Sequence, residues 1–268
     1  MTSEFDRAIA LTDICAKRFG ARVPEGWLGS GRAQGGLLAA QVLAAMTRTV
    51  DDPTRAVRSI TVHMLSAPDA AAPYEIETTV QRTGRSVVNL SARILQGGRP
   101  LVMGLGLFST DRHGPDFDEL PMPEVAPATP GRVTETYVPE FAHPFAERMV
   151  LQHRTGPEAF SSAEGPMTTG GWIGFSDPRP VDEPGLLVMG DAGIMPWWVR
   201  LPEMRPTATV DYTVHFRASF PRTDPDELVY AGMQTRLVRG GFLDWDAVLW
   251  APDGTVLCLA RQQLVTIG

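Results

Sequence analysis

The sequence predicts an α+β protein built from two tandem copies of one unit, each a curved antiparallel sheet wrapped around a long helix. Three observations carry this. The run Gly35 to Met46 is rich in Ala and Leu, lacks proline and is apolar almost all round, which predicts a buried helix. Runs rich in β-branched residues follow it, separated by glycine-bearing turns. The same order of features then returns in the second half of the chain, and self-similarity of this kind outranks any local motif.

The repeat rests on four markers. Thr61-Val62-His63-Met64-Leu65-Ser66-Ala67-Pro68 is matched by Thr213-Val214-His215-Phe216-Arg217-Ala218-Ser219-Phe220-Pro221, at an offset of 152 residues. Gly26-Trp27-Leu28-Gly29 resembles Gly171-Trp172-Ile173-Gly174, at an offset of 145. Gly84 falls opposite Gly240 and Gly98 opposite Gly254, both at 156.

In the first half, strands are expected over Val57–Leu65, Tyr74–Gln81, Ser86–Leu95 and Pro100–Phe108, with Gly97-Gly98 as a hairpin turn. In the second they are expected over Thr207–Phe216, Leu228–Val238, Phe242–Trp250 and Thr255–Thr266, with the helix near Leu186–Val199. A sheet that curls around a helix buries every face of it, and this is the hotdog fold. The reading is therefore a double hotdog: an N-terminal hotdog over residues 1–112, a proline-rich linker over 113–167 and a C-terminal hotdog over 168–268.

Composition narrows the function. A net charge of −7 argues against a nucleic-acid surface. No apolar stretch reaches the roughly 18 residues of a membrane-spanning helix, and the charged start, Met1 to Phe19, does not read as a signal peptide. Two cysteines, Cys15 and Cys258, fit a reducing compartment better than a disulfide scaffold. The expectation is a soluble cytoplasmic protein without metal or cofactor, able to form a homodimer or higher homo-oligomer.

Four passages, in order, resemble the type II acyl-CoA thioesterases (TesB-like). They are Gln34-Gly35-Gly36 with Ala40-Gln41; Arg58 to Leu65; Gly190-Asp191-Ala192-Gly193 running on to Pro196-Trp197-Trp198; and Ala208-Thr209-Val210-Asp211 together with Gln262. The resemblance implies hydrolysis of an acyl-CoA to a free acid and CoA, with Asp191, Thr209 and Gln262 holding the attacking water. A thioester is already activated, so a carboxylate and two positioning side chains suffice. Gly35 and Gly36 are the candidate oxyanion and substrate-binding positions, where backbone N–H groups of a helix start converge.

Each residue also has a plainer reading. An Asp beside Gly190 can cap a helix, Thr209 is ordinary in a strand, and Gly35-Gly36 can serve close packing. Gln262 and Gln263 face opposite sides, and the resemblance selects Gln262. His63 and His215 recur at matching positions but lack partners at metal-ligand spacing. Arg58, Arg85, Arg217 and Arg239 are candidate contacts for CoA phosphates, and Trp197 and Trp198 for an acyl pocket or core. The alternatives are a non-catalytic acyl-CoA-binding protein and a hotdog enoyl-CoA hydratase or dehydratase. The latter needs a His–carboxylate pair and a glycine and proline spacing that the His63 and His215 segments lack. Gly106 falls opposite Gln262, so one competent site per chain is expected.

Overall fold

The computed structural model describes residues 2–29, 31–135 and 144–267. Its elements run α1 (Glu4–Ala8), β1 (Thr12–Cys15), β2 (Arg18–Ala21), β3 (Leu28–Gly29), β4 (Arg32–Ala33), α2 (Gly35–Val50), β5 (Ala56–Met64), β6 (Tyr74–Thr83), β7 (Val87–Gln96) and β8 (Arg99–Ser109). The second half continues with β9 (Met149–Thr155), β10 (Met167–Phe175), α3 (Glu183–Gly190), β11 (Thr207–Phe216), β12 (Val229–Thr235), β13 (Val238–Arg239), β14 (Phe242–Trp250) and β15 (Val256–Thr266).

One antiparallel sheet runs through both halves in the order β1-β2-β6-β7-β8-β5-β11-β15-β14-β12-β10-β9, with β13 beside β14. Read from either end the order is the same: β1, β2, β6, β7, β8 and β5 answer to β9, β10, β12, β14, β15 and β11. The two hotdogs join where β5 pairs with β11, and at that seam Thr61 lies opposite Thr213. Their hydroxyls are 2.9 Å apart. The offset of 152 seen in the sequence is therefore the pseudo-two-fold of the fold.

Helix α2 is buried on nearly every side, as its composition requires: Leu37, Ala39, Ala40, Val42, Leu43, Ala45 and Met46 are all inaccessible or nearly so. Its Gln41 is also fully buried, and every polar atom of the amide is used. Gln41 Nε2 donates to the Ala8 and Arg22 carbonyls at 2.8 and 2.9 Å, and its oxygen accepts from the Tyr74 hydroxyl. The open face of α2 meets α3 rather than sheet. At Gly36 a Cβ would lie 2.5 Å from the Leu187 carbonyl oxygen and 2.8 Å from the Val188 Cα, so the two helices touch backbone to backbone.

Three expectations are corrected. The helix read near Leu186–Val199 is two pieces: α3 ends at Gly190, and a separate 3-10 turn covers Pro196–Arg200. Gly193 between them has φ +116°, which a regular helix cannot include, and Pro196 cannot donate to a continuing helix. The Gly26–Gly29 marker of the repeat also fails, because it lies in a loop and the two-residue β3 whereas Gly171–Gly174 lies inside β10, whose counterpart is β2. Finally, the stretch 113–167 read as a linker contains a strand of the sheet, and its residues 136–143 lie outside those described. Through 135 it forms a strap over the outer face of the second half of the sheet, where Trp172 and Trp250 donate their indole N–H groups to the Ala126 and Leu120 carbonyls, each at 2.9 Å. The Gln152 amide fastens the same strap through Thr129 and Val133. Met149–Thr155 is then strand β9, the partner of β10.

Both cysteines are free thiols, Cys15 exposed and Cys258 buried. Among the described residues no helix is long and apolar enough to cross a membrane.

The helix contact sets the first prediction. Gly36→Ala forces a methyl into the Leu187–Val188 backbone and should cost about 2 kcal/mol or more, read as a lowered midpoint in urea. A midpoint equal to that of the unaltered protein would show that the helices are free to separate.

Candidate active site

Helix α3 ends at the C-terminal side of its last turn on Asp191, and α2 begins at Gln34, and the close crossing brings these two ends together. Asp191 Oδ2 accepts from the Gly36 backbone N–H at 2.6 Å and from Gln34 Nε2 at 2.5 Å. The same Nε2 also reaches the Asp191 carbonyl at 3.3 Å. The other end of the Gln34 carboxamide caps α2, its Oε1 accepting from the Leu37 N–H at 2.6 Å. Thus an anion at the unfavourable end of α3 sits at the favourable end of α2.

A second pair completes the cluster. Thr209 Oγ1 donates to Gln262 Oε1 at 3.0 Å, and Gln262 Nε2 donates to the Gly190 carbonyl at 3.3 Å, one residue before Asp191. Gln262 is only 1% exposed, while Gln263 faces solvent. Thr209 owes its direction to a β-bulge. Inward positions on β11 are Tyr212, Val214 and Phe216, so regular alternation would turn Val210 inward and Thr209 out. The ladder with β15 shifts between Thr209 and Asp211, leaving Val210 as the extra residue. Thr209 consequently pairs with the buried Leu264 and takes the inward phase, on the same face as Gln262.

Gly35 lies at the centre of this group. A Cβ there would be 3.1 Å from Asp191 Oδ2 and 3.7 Å from Thr209 Oγ1. The two glycines therefore differ: Gly36 is needed for helix packing and its N–H is taken by Asp191, whereas Gly35 leaves room beside the polar side chains. All five residues singled out in the sequence thus meet at one place. Gln34 belongs to the same cluster; the resemblance includes it but the sequence assigns it no role, because glutamine is a weak signal at a helix start, where shorter polar side chains dominate.

Other expected contributors lie elsewhere. Trp197 and Trp198 are buried in the core. Arg58 is paired with Asp111. Arg85, Arg217 and Arg239 are exposed, in the β6–β7 turn, after β11 and in β13. His63 and His215 are exposed on the outer sheet face, across from Asp211 and Ser59. Among the described residues no group of three or more His, Cys, Asp or Glu side chains is arranged to hold a metal ion.

Among its described residues the first half has no equivalent cluster. The pair Gly106–Ile60 corresponds in the ladder to Gln262–Tyr212. At Gly106 a Cβ would meet Met46 Sδ at 2.5 Å, so Met46 fills the space that Gln262 occupies in the other half. The bulge is nevertheless present there too, between Val57 and Ser59, and it turns a buried Val57 inward where the second half has Thr209.

Burial pushes the Asp191 carboxyl up from the usual carboxylate range to about 7, against the Gly36 N–H and the Gln262 carboxamide, which favour the anion. The group is a carboxylate that can both hold and release a proton near neutrality.

Residues 23–109 match the acyl-CoA thioesterase N-terminal domain and residues 117–266 the acyl-CoA thioesterase C-terminal domain. The chain belongs to this acyl-CoA thioesterase family. Among solved structures it is similar to a conserved protein of unknown function with a hot dog fold from Alicyclobacillus acidocaldarius, at 24% identity and TM-score 0.87 over 100% of this chain and 99% of that one. It is also similar to the acyl-CoA thioesterase II TesB2 from Mycobacterium marinum, at 19% identity and TM-score 0.75 over 98% and 96%. The tesB protein of Mycobacterium avium subs paratuberculosis is comparable, at 17% identity and TM-score 0.77 over 99% and 98%. These likenesses establish the double-hotdog fold. No curated protein sequence matches the chain at a significant level.

The raised Asp191 pKa has a cost in stability. An unfolded Asp titrates near 4, so between about pH 4 and 7 the folded state holds a proton that the unfolded state has lost. Stability from this group is therefore full below pH 4, falls as pH rises to about 7 and is constant above. Asp191→Asn keeps an acceptor for Gly36 without the buried charge. It should gain on the order of 4 kcal/mol over the parent at pH 8 and little at pH 4. Denaturant midpoints at the two pH values check this, and an equal or lower value for the variant at pH 8 would contradict the desolvated carboxylate.

Proposed function

We propose that the chain hydrolyses acyl-CoA thioesters with a water molecule held among Asp191, Thr209 and Gln262. Family membership supports the substrate class, and the observation that carries the site assignment is the meeting of Asp191 and Thr209 beside Gly35 at the helix crossing, with Gln262 hydrogen-bonded to Thr209. In this reading the water oxygen attacks the thioester carbonyl while its proton passes to the Asp191 carboxylate. Thr209 and Gln262 fix the water by accepting and donating hydrogen bonds. The tetrahedral oxyanion is met by the N–H of Gly35, the first residue of α2, which has no intrahelical partner. Collapse breaks the C–S bond. The CoA thiolate leaves and takes up a proton, and the free acid departs.

The Gly36 N–H is committed to Asp191, so Gly35 is the better oxyanion donor of the two. The acid–base range follows from the same carboxyl. Only the deprotonated form accepts a proton from water, so kcat/KM should fall about tenfold for each pH unit below about 7. An ordinary carboxylate would give a flat profile down to pH 5.

The test is thiol release from a panel of acyl-CoA esters. Asp191→Asn should lose a factor of ~100 or more in kcat, and Thr209→Val about tenfold, both with the fold intact by circular dichroism. Full activity in Asp191→Asn would remove Asp191 from the mechanism. CoA-ester binding by calorimetry with no thiol release from any ester would favour a binding protein instead.

A further inference from the structure

We propose that Gln34 is a positioning residue for Asp191: one carboxamide caps α2 with its oxygen and holds Asp191 Oδ2 with its nitrogen, leaving Oδ1 to face the water. This rests on the assignment of Asp191 above. The observations are three contacts on one side chain that is itself 8% exposed, Oε1 to the Leu37 N–H, Nε2 to Asp191 Oδ2 and Nε2 to the Asp191 carbonyl, together with the neighbouring Gly36 N–H on the same Oδ2. Oδ1 takes part in none of these.

The choice of residue is informative. Ser, Thr, Asp and Asn cap helices better than Gln because their oxygen is closer to the backbone. Capping alone would therefore not select Gln34. Its extra length is what lets the amide nitrogen cross from the start of α2 to the end of α3. A neutral donor also suits a base near neutrality. A cation here would drive the carboxyl back to the ordinary acid range, and a second carboxylate would drive it further up.

Among the described residues no charged group competes for that control. Tyr212 on β11 faces the site, and its hydroxyl donates to the Leu187 carbonyl at 2.9 Å; burial holds its pKa well above the usual range. Cys258 on β15 packs near Tyr212, and burial raises its thiol likewise. Asp211 and His63, on β11 and β5, alternate to the other face of the sheet. Glu183 is at the far end of α3. From α2 only Gln34 and the Gly36 N–H meet the carboxylate. Gln34 and Gly36, with Gln262 from β15, are thus the groups that fix the anion.

The experiment separates the cap from the clamp. Gln34→Ser keeps an N-cap oxygen but cannot reach Asp191. Gln34→Glu keeps the length and the capping oxygen but replaces the donor by a carboxylate. Each variant is made in the full chain and followed in two ways: the pH dependence of acyl-CoA thiol release, and the titration of the Asp191 carboxyl by carbon-13 NMR against Asp191→Asn for assignment. Gln34→Ser should move the Asp191 midpoint and the acid limb up together by about one pH unit. It should lower kcat at pH 7 about fivefold, as the ionised fraction falls, and leave KM within about threefold. Gln34→Glu should move both midpoints further. A fall in kcat with neither midpoint moved, in whichever variant folds, would reduce Gln34 to a helix cap and overturn the proposal. If Asp191→Asn is fully active, the site assignment fails on its own account, while the NMR midpoint still decides whether Gln34 controls this carboxyl.

Discussion

Everything at the site depends on one backbone contact, the crossing of α2 over α3 at Gly36. With no side chain between them, the helices come close enough for the end of one to touch the start of the other. That places the Asp191 carboxylate against the Gly36 N–H, and it puts Gln34 within reach of both helices. The curled sheet is what permits this. Each helix is wrapped by strands on its remaining sides, so the apolar surface left over on each has nowhere to go but against the other.

Burying a carboxyl at such a junction is unfavourable unless its oxygens are satisfied. Here Oδ2 has two donors, and the region around it is otherwise apolar, with Leu186, Leu187, Val188 and Tyr212 all inaccessible or nearly so. The result is a group held between its charged and neutral forms rather than locked into one. A stronger donor set would make it a better structural anion and a poorer acceptor of protons. The local instability and the proposed chemistry are thus the same property, as is common for sites assembled inside a fold.

The parts of this structure that were legible in the sequence are those where one physical signal acts alone. Helix α2 reads clearly because Ala and Leu surround it on all sides, and β11 and β14 have the bounds their β-branched and aromatic runs give. Where signals compete, reading fails. The apolar run Ile194 to Trp198 disguises the break after Gly190, although Gly193 and Pro196 mark it. Strand β9 is hidden by the proline-dense segment before it, and Gly26–Gly29 copies the letters of β10 without its conformation. The bulge at Val210 leaves no trace at all, since Ala208-Thr209-Val210-Asp211-Tyr212 looks like a strand of ordinary phase. The direction of Thr209 is set by pairing with β15, fifty residues away in the chain, and only the assembled ladder reveals it.

That bulge occurs twice, at Thr209–Asp211 and at Val57–Ser59, on the two strands that meet at the seam. Only one copy presents a polar side chain. A feature shared by both halves is most simply inherited from the single unit that was duplicated, so the kink is older than the division of labour built on it. Two separate copies of that ancestor, pairing across the same seam, would have carried two identical interiors, and any change in one would have appeared in the other. Fusion into one chain released that symmetry. Met46 beside Gly106 then made one interior a well-filled core, and the other was free to keep its polar residues. The double chain is in this sense a heterodimer encoded as a single gene: one interior is filled, and the polar cluster forms where the start of the first half's helix meets the end of the second's.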